Sequence, residues 1–194
     1  METVIPTQII DNYLKEIEIF DLNKASIRQV GAVVANAEKK TGVEFIHFEM
    51  GVPGIPPSRI GIEAQCDALK RGVASIYPNI EGVRELKEQA SRFVKAFIDT
   101  NIEPYHCTPT CGAMQGTFAA FLLCSQLHPD RDTILYIDPG FPVQKMQAQV
   151  IGVKQASFDV LDFRAEKLGP KLESYLKEGN ICCVVFSNPN NPSW

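Results

Sequence analysis

The sequence predicts an α/β fold: a mostly parallel sheet sandwiched by helices, preceded by an N-terminal helical segment. Two observations predict it. After Pro104, strand-like and helix-like stretches alternate strictly along the chain. The strand stretches, above all "NICCVVFS", are apolar on successive residues, the pattern of a strand with both faces covered. Strands of that kind alternating with helices build a sheet with helices packed on its two faces.

The elements follow in order. "DNYLKEIEIF" is a short amphipathic start. In "SIRQVGAVVANAEKKTG", Ser26 can cap a helix, Ile27, Val30, Val33, Val34 and Ala37 form its apolar stripe, and Gly42 can stop it. "VEFIHFEM" reads as a strand, with His47 as a strand histidine. "GVPGIPPSR" is a Gly/Pro loop and the best internal boundary. It divides the chain into an N-terminal segment, residues 1–50, and a main domain, residues 51–194. A helix is expected over Ile60 to Arg71, closed by Gly72. "GVRELKEQASRFVKAF" is an amphipathic helix, with Val83, Leu86, Ala90, Phe93, Val94 and Phe97 at spacings of three and four. "YHCTPT" reads as a short strand. "GAMQGTFAAFLLCSQL" is a helix apolar nearly all round, and so expected to be buried. "DTILYID" is a strand, "PGFPVQKMQAQVIG" a loop leading into a helix, and "VKQASFDV" a strand. Pro170 suits the first position of a helix "PKLESYLKEG". "NICCVVFS" is the last strand.

Composition sets the class. The 194 residues are 45% apolar and 22% charged, an ordinary globular balance. The net charge is −4, from 19 Lys+Arg against 23 Asp+Glu, and no basic block stands out, so nucleic acid is not an expected partner. The start has no secretory pattern, and no apolar run approaches the ~20 residues of a membrane span. The six cysteines are scattered, which suits reduced core thiols in a cytoplasmic protein. Cys182 and Cys183 are expected on opposite faces of their strand. His106, Cys107 and Cys111 fit no zinc spacing, and no metal is expected. Lys95 and Lys145 read as solvated surface lysines.

In such a sheet, ligands bind at the carboxyl ends of strands. Three strand ends here carry unusual loops: "TCGAMQG", "DPGFP" and "SNPNNP". In the first, Gly112 stands where a strand becomes a helix, and the amides of Gly112, Ala113 and Met114 are the free donors of a helix start, suited to a phosphate. In the second, Phe141 on a rigid loop can offer its face to a flat ligand. In the third, Asn188 and Asn191 are uncharged donors and acceptors fixed by proline, which also permits cis bonds. Each loop has a plainer reading: a glycine that turns the chain, a core-filling phenylalanine, a polar turn closing a strand. Together they suit an aromatic cofactor that bears a phosphate.

The motifs "FEMGVPGIPP", "YPNIEGVRELKEQ", "TPTCGAMQGTF", "DPGFPVQKMQ" and "NPNNPSW", in that order, resemble those of the class I/II aminotransferases, fold-type I pyridoxal-phosphate enzymes. The resemblance implies pyridoxal 5'-phosphate as cofactor and an amino acid and a 2-oxo acid as small-molecule substrates. It implies that Gly112, Ala113 and Met114 hold the phosphate, Phe141 stacks on the pyridine ring, and Asn191 hydrogen-bonds the ring's phenolic oxygen. Tyr77 would reach the phosphate in a neighbouring subunit, which makes a homodimer the expected form. Gly51 would lie near the substrate carboxylate. Asp138–Pro139 and Asn191–Pro192 become candidates for cis bonds. Residues 1–50 would be an N-terminal arm with part of a small domain, and 51–194 an incomplete large cofactor-binding domain.

The chain also departs from that pattern. Ser193 is followed by Trp194 where the family usually has glycine, and Ala113-Met114 stand where polar residues are common. The family's Schiff-base lysine, pyridine-pairing aspartate and carboxylate-gripping arginine come after the NPNNP segment. The expectation is therefore the N-terminal part of an aminotransferase, inactive alone, with a partly built sheet exposing an apolar face or edge. The rivals are a lyase or decarboxylase on the same scaffold, a non-catalytic ligand-sensing domain of that fold, and a generic phosphate-binding α/β domain.

Overall fold

A computed structural model describes residues 4–48, 51 and 54–191. The chain divides into two compact units, Met1–Ile76 and Tyr77–Trp194.

The N-terminal unit is helical: α1 (Thr7–Glu16), α2 (Ile27–Thr41) and α3 (Arg59–Lys70). Both ends of α2 follow the sequence. The Gln29 N–H donates to Ser26 Oγ at 3.3 Å, and the Ser26 N–H donates to Gln29 Oε1 at 2.8 Å, a reciprocal capping box. Gly42 closes the helix in the left-handed region, its N–H on the Glu38 carbonyl at 2.8 Å. Val33 and Ala37 of α2 are buried, as is Ile19.

The strand expected at "VEFIHFEM" is not formed over 43–48; Glu49 and Met50 lie outside the described residues. The Phe45 N–H donates to Glu38 Oε1 at 3.0 Å, and His47 Nε2 pairs with the same oxygen at 3.2 Å. A carboxylate on α2 thus takes a backbone donor that a strand would give to a neighbour. Phe48 is 88% exposed, so burial does not support a strand either.

The second unit holds α4 (Arg84–Ile98), α5 (Ala113–Leu127), β1 (Thr133–Asp138), α6 (Pro142–Ile151), β2 (Lys154–Asp159), α7 (Leu168–Leu176) and β3 (Ile181–Val185). The three strands form a parallel sheet in the order β2-β1-β3. Strand β1 is central, which explains its unbroken apolar run. Ile134 and Tyr136 pack with Phe121 of α5 and Ala148 of α6. Leu135 packs on the opposite side with Phe158, Ile181 and residues around α7, including Phe163, Leu168, Leu172 and Tyr175. Ile134 and Leu135 are both 0% exposed, each burial stabilising by about 1.5–3 kcal/mol.

Five expectations are corrected here. "YHCTPT" is a 3-10 turn at Pro104–His106 followed by irregular chain; the Cys107 N–H closes back on the Pro104 carbonyl at 3.1 Å, and Pro109 has no N–H to give a ladder. Helix α7 starts at Leu168, so Pro170 is its third residue; it is still tolerated, because first-turn amides have no intrahelical acceptor. Helix α5 buries only its sheet-facing side: Phe121 is covered, but Leu123 is 61% exposed, and Met114 and Leu127 are also exposed. Cys182 and Cys183 do not face opposite ways. Ile181 pairs with Thr133 and Cys183 with Ile134, so the ladder skips Cys182, and both thiols border the cluster around Phe121. Burial pushes the Cys183 thiol up to about 11 and raises Cys182 as well. All six cysteines are free, and Cys66 and Cys111 are exposed, not core.

Among the described residues, no helix is long and apolar enough to cross a membrane.

Candidate cofactor site

Strands β1 and β3 are parallel neighbours, so the loops leaving their carboxyl ends lie side by side. The first passes through a cis Asp138–Pro139 bond to Phe141, and the second through a cis Asn188–Pro189 bond to Asn191. Asn190 ties them together, its Nδ2 donating to the Pro139 carbonyl at 2.8 Å. Pro192 lies outside the described residues, and with it the Asn191–Pro192 bond.

Phe141 is the N-cap residue of α6, with Pro142 at the first helical position, and its side chain is 51% exposed. A ring held at a helix entrance and half open to solvent can take a flat partner. Asn191 and Asn188 are exposed on the neighbouring loop, whereas Asn190 is half-buried.

The start of α5 forms the third component. Gly112 is its N-cap, at φ 81° and ψ 165°, a conformation essentially restricted to glycine. Open space surrounds the place where a Cβ would stand, so the backbone path itself selects glycine. The loop is internally bonded: the Gly112 N–H donates to the Thr110 carbonyl at 2.8 Å, Thr110 Oγ1 donates to the Gly112 carbonyl at 3.0 Å, and the Cys111 N–H donates to Gln115 Oε1 at 2.5 Å. Gly112 therefore supplies the turn while its N–H is engaged. The outward donors are the first-turn amides of Ala113, Met114 and Gln115, which have no intrahelical acceptor. Residues 112–115 are exposed, and the first turn holds no acidic side chain. That donor set fits a phosphate dianion.

Helix α6 braces α5 directly. Gln147 Nε2 donates to the Met114 carbonyl at 2.8 Å, and Thr117 Oγ1 lies 2.8 Å from Gln147 Oε1 and 3.1 Å from that carbonyl. Beside this brace, Lys145 is not the solvated lysine expected. It is half-buried, with Nζ 2.5 Å from Asp138 Oδ2 and 5.5 Å from the Tyr136 ring centre. The Tyr136 hydroxyl donates to the Gln144 carbonyl at 3.1 Å, and burial pushes it up to about 12, so it stays neutral. Lys95 of α4 is solvated as expected, paired with Asp99, the residue that caps the helix.

Tyr77 opens the second unit and is 99% exposed. The loop after it docks on the chain leading to the α5 turn: a Cβ on Gly82, whose φ is +94°, would stand 2.6 Å from Pro109 Cδ. A cleft of about 630 Å³ beside this loop is lined by the buried Lys87 and the exposed Arg84 and Tyr105 among others, and none of its lining residues belongs to the three strand-end loops. Gly51 belongs to the N-terminal unit, where it is exposed with open space around it.

Of the expected site residues, the structure thus gathers Gly112, Ala113 and Met114 at one turn, Phe141 at the head of the helix that braces that turn, and Asn191 at the end of the loop tied to Pro139. Three supporting residues went unread. Gln115 was findable, since glutamine three residues after an N-cap is a capping signal. Asn190 and Gln147 carried none, because their partners lie 51 and 33 residues away.

A sequence model of the family "Aminotransferase class I and II" matches residues 45–193. The (5-formylfuran-3-yl)methyl phosphate transaminase of Methanocaldococcus jannaschii is 27% identical over 166 residues, covering 84% of this chain and 42% of that protein. The aspartate aminotransferase of Pyrococcus horikoshii is 28% identical over 152 residues, covering 77% of this chain and 37% of that protein. The chain therefore spans about two-fifths of the length of these relatives. A crystal structure from Methanococcus jannaschii, described as similar in its active site to kynurenine aminotransferases, matches with a TM-score of 0.68 at 26% identity, covering 88% of this chain and 43% of that one. A probable N-succinyldiaminopimelate aminotransferase from Thermus thermophilus shares the fold with a TM-score of 0.70 at 18% identity, covering 87% of this chain and 45% of that one.

Proposed function

The chain belongs to the aminotransferase class I and II family, and we propose that it forms the N-terminal part of a pyridoxal 5'-phosphate-dependent enzyme that moves an amino group from an amino acid to a 2-oxo acid. One observation supports the site most directly. The Asn190 bond to Pro139 and the Gln147 bond to Met114 link the three glycine-, proline- and asparagine-rich loops at one end of the sheet.

In this reading the first-turn amides of Ala113 and Met114, joined by that of Gln115, donate to the cofactor phosphate, and Gly112 provides the turn that exposes them. Phe141 lies against the pyridine ring, and Asn191 donates to its phenolic oxygen. Bound there, the cofactor supplies the electron sink for amino-group chemistry. The protein residues fix its position and exclude water from one face. Tyr77 contacts the phosphate of a second subunit, which makes the working form a homodimer, and Gly51 borders the substrate carboxylate. The proposed functional division, an arm and small domain over 1–50 and the cofactor domain over 51–194, differs from the compact units, in which 51–76 group with the N-terminal helices. Transamination is proposed for the whole protein; for these 194 residues the proposal is cofactor binding. The relatives include aspartate, tyrosine and LL-diaminopimelate aminotransferases, so the substrate is proposed only as an amino acid.

Amide shifts followed by NMR during titration with pyridoxal phosphate test this. Saturable shifts at Ala113, Met114 and Phe141, competed by inorganic phosphate and weaker with pyridoxal, are expected. Shifts confined to other residues, or none at all, would sink the reading.

A further inference from the structure

We infer that Gln147 is a positioning residue: it sets the separation between the phosphate cradle and the stacking wall and aims a cradle amide. The inference rests on the cofactor reading above.

The two walls sit on different helices. The cradle is the first turn of α5, and Phe141 is the N-cap of α6. Gln147 is the sixth residue of α6, about 9 Å along the axis from Phe141 at 1.5 Å per residue. A ten-residue helix is stiff over that distance, so wherever Gln147 is anchored, the Phe141 end follows. The anchor is the Met114 carbonyl, inside the cradle itself, at 2.8 Å.

That carbonyl shares a planar trans peptide with the Gln115 N–H, which points the opposite way. A donor that holds the carbonyl toward α6 therefore holds the Gln115 N–H away from it, in the direction of the open first turn. Accepting the bond also polarises the peptide and strengthens its N–H as a donor. Thr117 completes the arrangement. Its single hydroxyl proton is shared between Gln147 Oε1 and the Met114 carbonyl, so the hydroxyl keeps the amide face of Gln147 turned the right way. Both polar atoms of the Gln147 side chain thus bond the first two turns of α5, Nε2 at Met114 and Oε1 at Thr117, although a glutamine on a helix surface ordinarily serves solvent.

Positioning and simple helix packing predict different binding patterns. The Gln147→Leu variant keeps the size of the side chain and removes both bonds. Inorganic phosphate should bind about five- to tenfold more weakly, the net worth of one ordinary hydrogen bond, because the cradle amide is misaimed but not removed. Pyridoxal phosphate should lose at least as much, because it engages both walls at once. Pyridoxal, which lacks the phosphate, should bind within twofold of the unaltered chain. Thr117→Ser should keep phosphate affinity, and Thr117→Val should lose part of it with less disturbance of packing, which covers the case where Gln147→Leu does not fold. Unchanged phosphate binding in Gln147→Leu, or equal losses for pyridoxal and phosphate, would overturn the positioning role while leaving the cofactor reading intact. If the unaltered chain binds neither phosphate nor pyridoxal phosphate at residues 113–115, the cofactor reading itself fails and takes this inference with it.

Discussion

Replacing Gly82 with alanine should destabilise the second unit by about 3 kcal/mol, from two separable causes. Gly82 sits at φ +94°, where an L-residue costs about 1–2 kcal/mol. The added Cβ would also stand 2.6 Å from Pro109 Cδ and 2.7 Å from Cγ. Carbon atoms prefer about 3.5–4.0 Å, and a proline ring cannot swing aside as a long side chain can. Either the loop after Tyr77 lifts or Pro109 moves, an overpacking cost of about 1–3 kcal/mol. Gly152→Ala supplies the control within the same unit. Its φ is +81° but its Cβ would meet nothing within 4 Å, so it should show only the backbone cost. In urea, with a slope of about 2 kcal/mol per molar, Gly82→Ala should move the unfolding midpoint down by about 1.5 M and Gly152→Ala by about 0.5–1 M. Equal shifts for the two variants would refute the close approach to Pro109.

Other substitutions probe different features. Gly116→Ala lies inside α5 with only an ordinary contact to Thr110 Oγ1 at 3.5 Å, and calorimetry should show a gain of about 0.5–1 kcal/mol from helix propensity. Asn190→Ala removes the bond between the two strand-end loops and leaves the Pro139 carbonyl without that donor; a loss of about 1 kcal/mol in chemical denaturation, with faster hydrogen exchange in the loops, is expected. The Cys183 thiol is raised from 9.0 to about 11 by burial, so the unfolded chain loses its proton first. This contribution is fully present below pH 9 and is lost as pH rises toward 11; urea midpoints measured across that range should fall less steeply in Cys183→Val. Thiol labelling at pH 8 should mark exposed Cys66 and Cys111 well before Cys183.

Features set by a few neighbouring residues could be read from the sequence. Ser26, Gln29 and Gly42 bound α2 through contacts no more than four residues apart, and they stand where the pattern put them. The central strand was legible because burial on two faces leaves a continuous apolar run. "VEFIHFEM" and "YHCTPT" look equally strand-like, but a strand exists only where another strand accepts its hydrogen bonds, and local composition does not encode that partner. The same holds for Lys145, whose carboxylate lies across a loop, and for Cys182, where one unpaired residue breaks the two-residue period that assigned it a face. The loops of the candidate site were recognisable by their glycines, prolines and asparagines. The side chains that fasten them together, Asn190 and Gln147, act over distances that only the folded chain reveals.

The skipped residue at Cys182 has a consequence for how β3 tolerates change in length. Ile181 pairs with Thr133, and Cys183 to Val185 pair with Ile134 to Tyr136 in unbroken step. The ladder would run on evenly if Cys182 were deleted, and every later side chain would keep its face. Deleting Cys183 gives the same chain, because both residues are cysteine, whereas removing a valine after them would turn the remainder of the strand over and carry the asparagine loop with it. The Cys182–Cys183 pair is thus where the reading frame of this strand has a residue to spare, and comparing loss of one of these cysteines with loss of Val184 by urea unfolding would expose it.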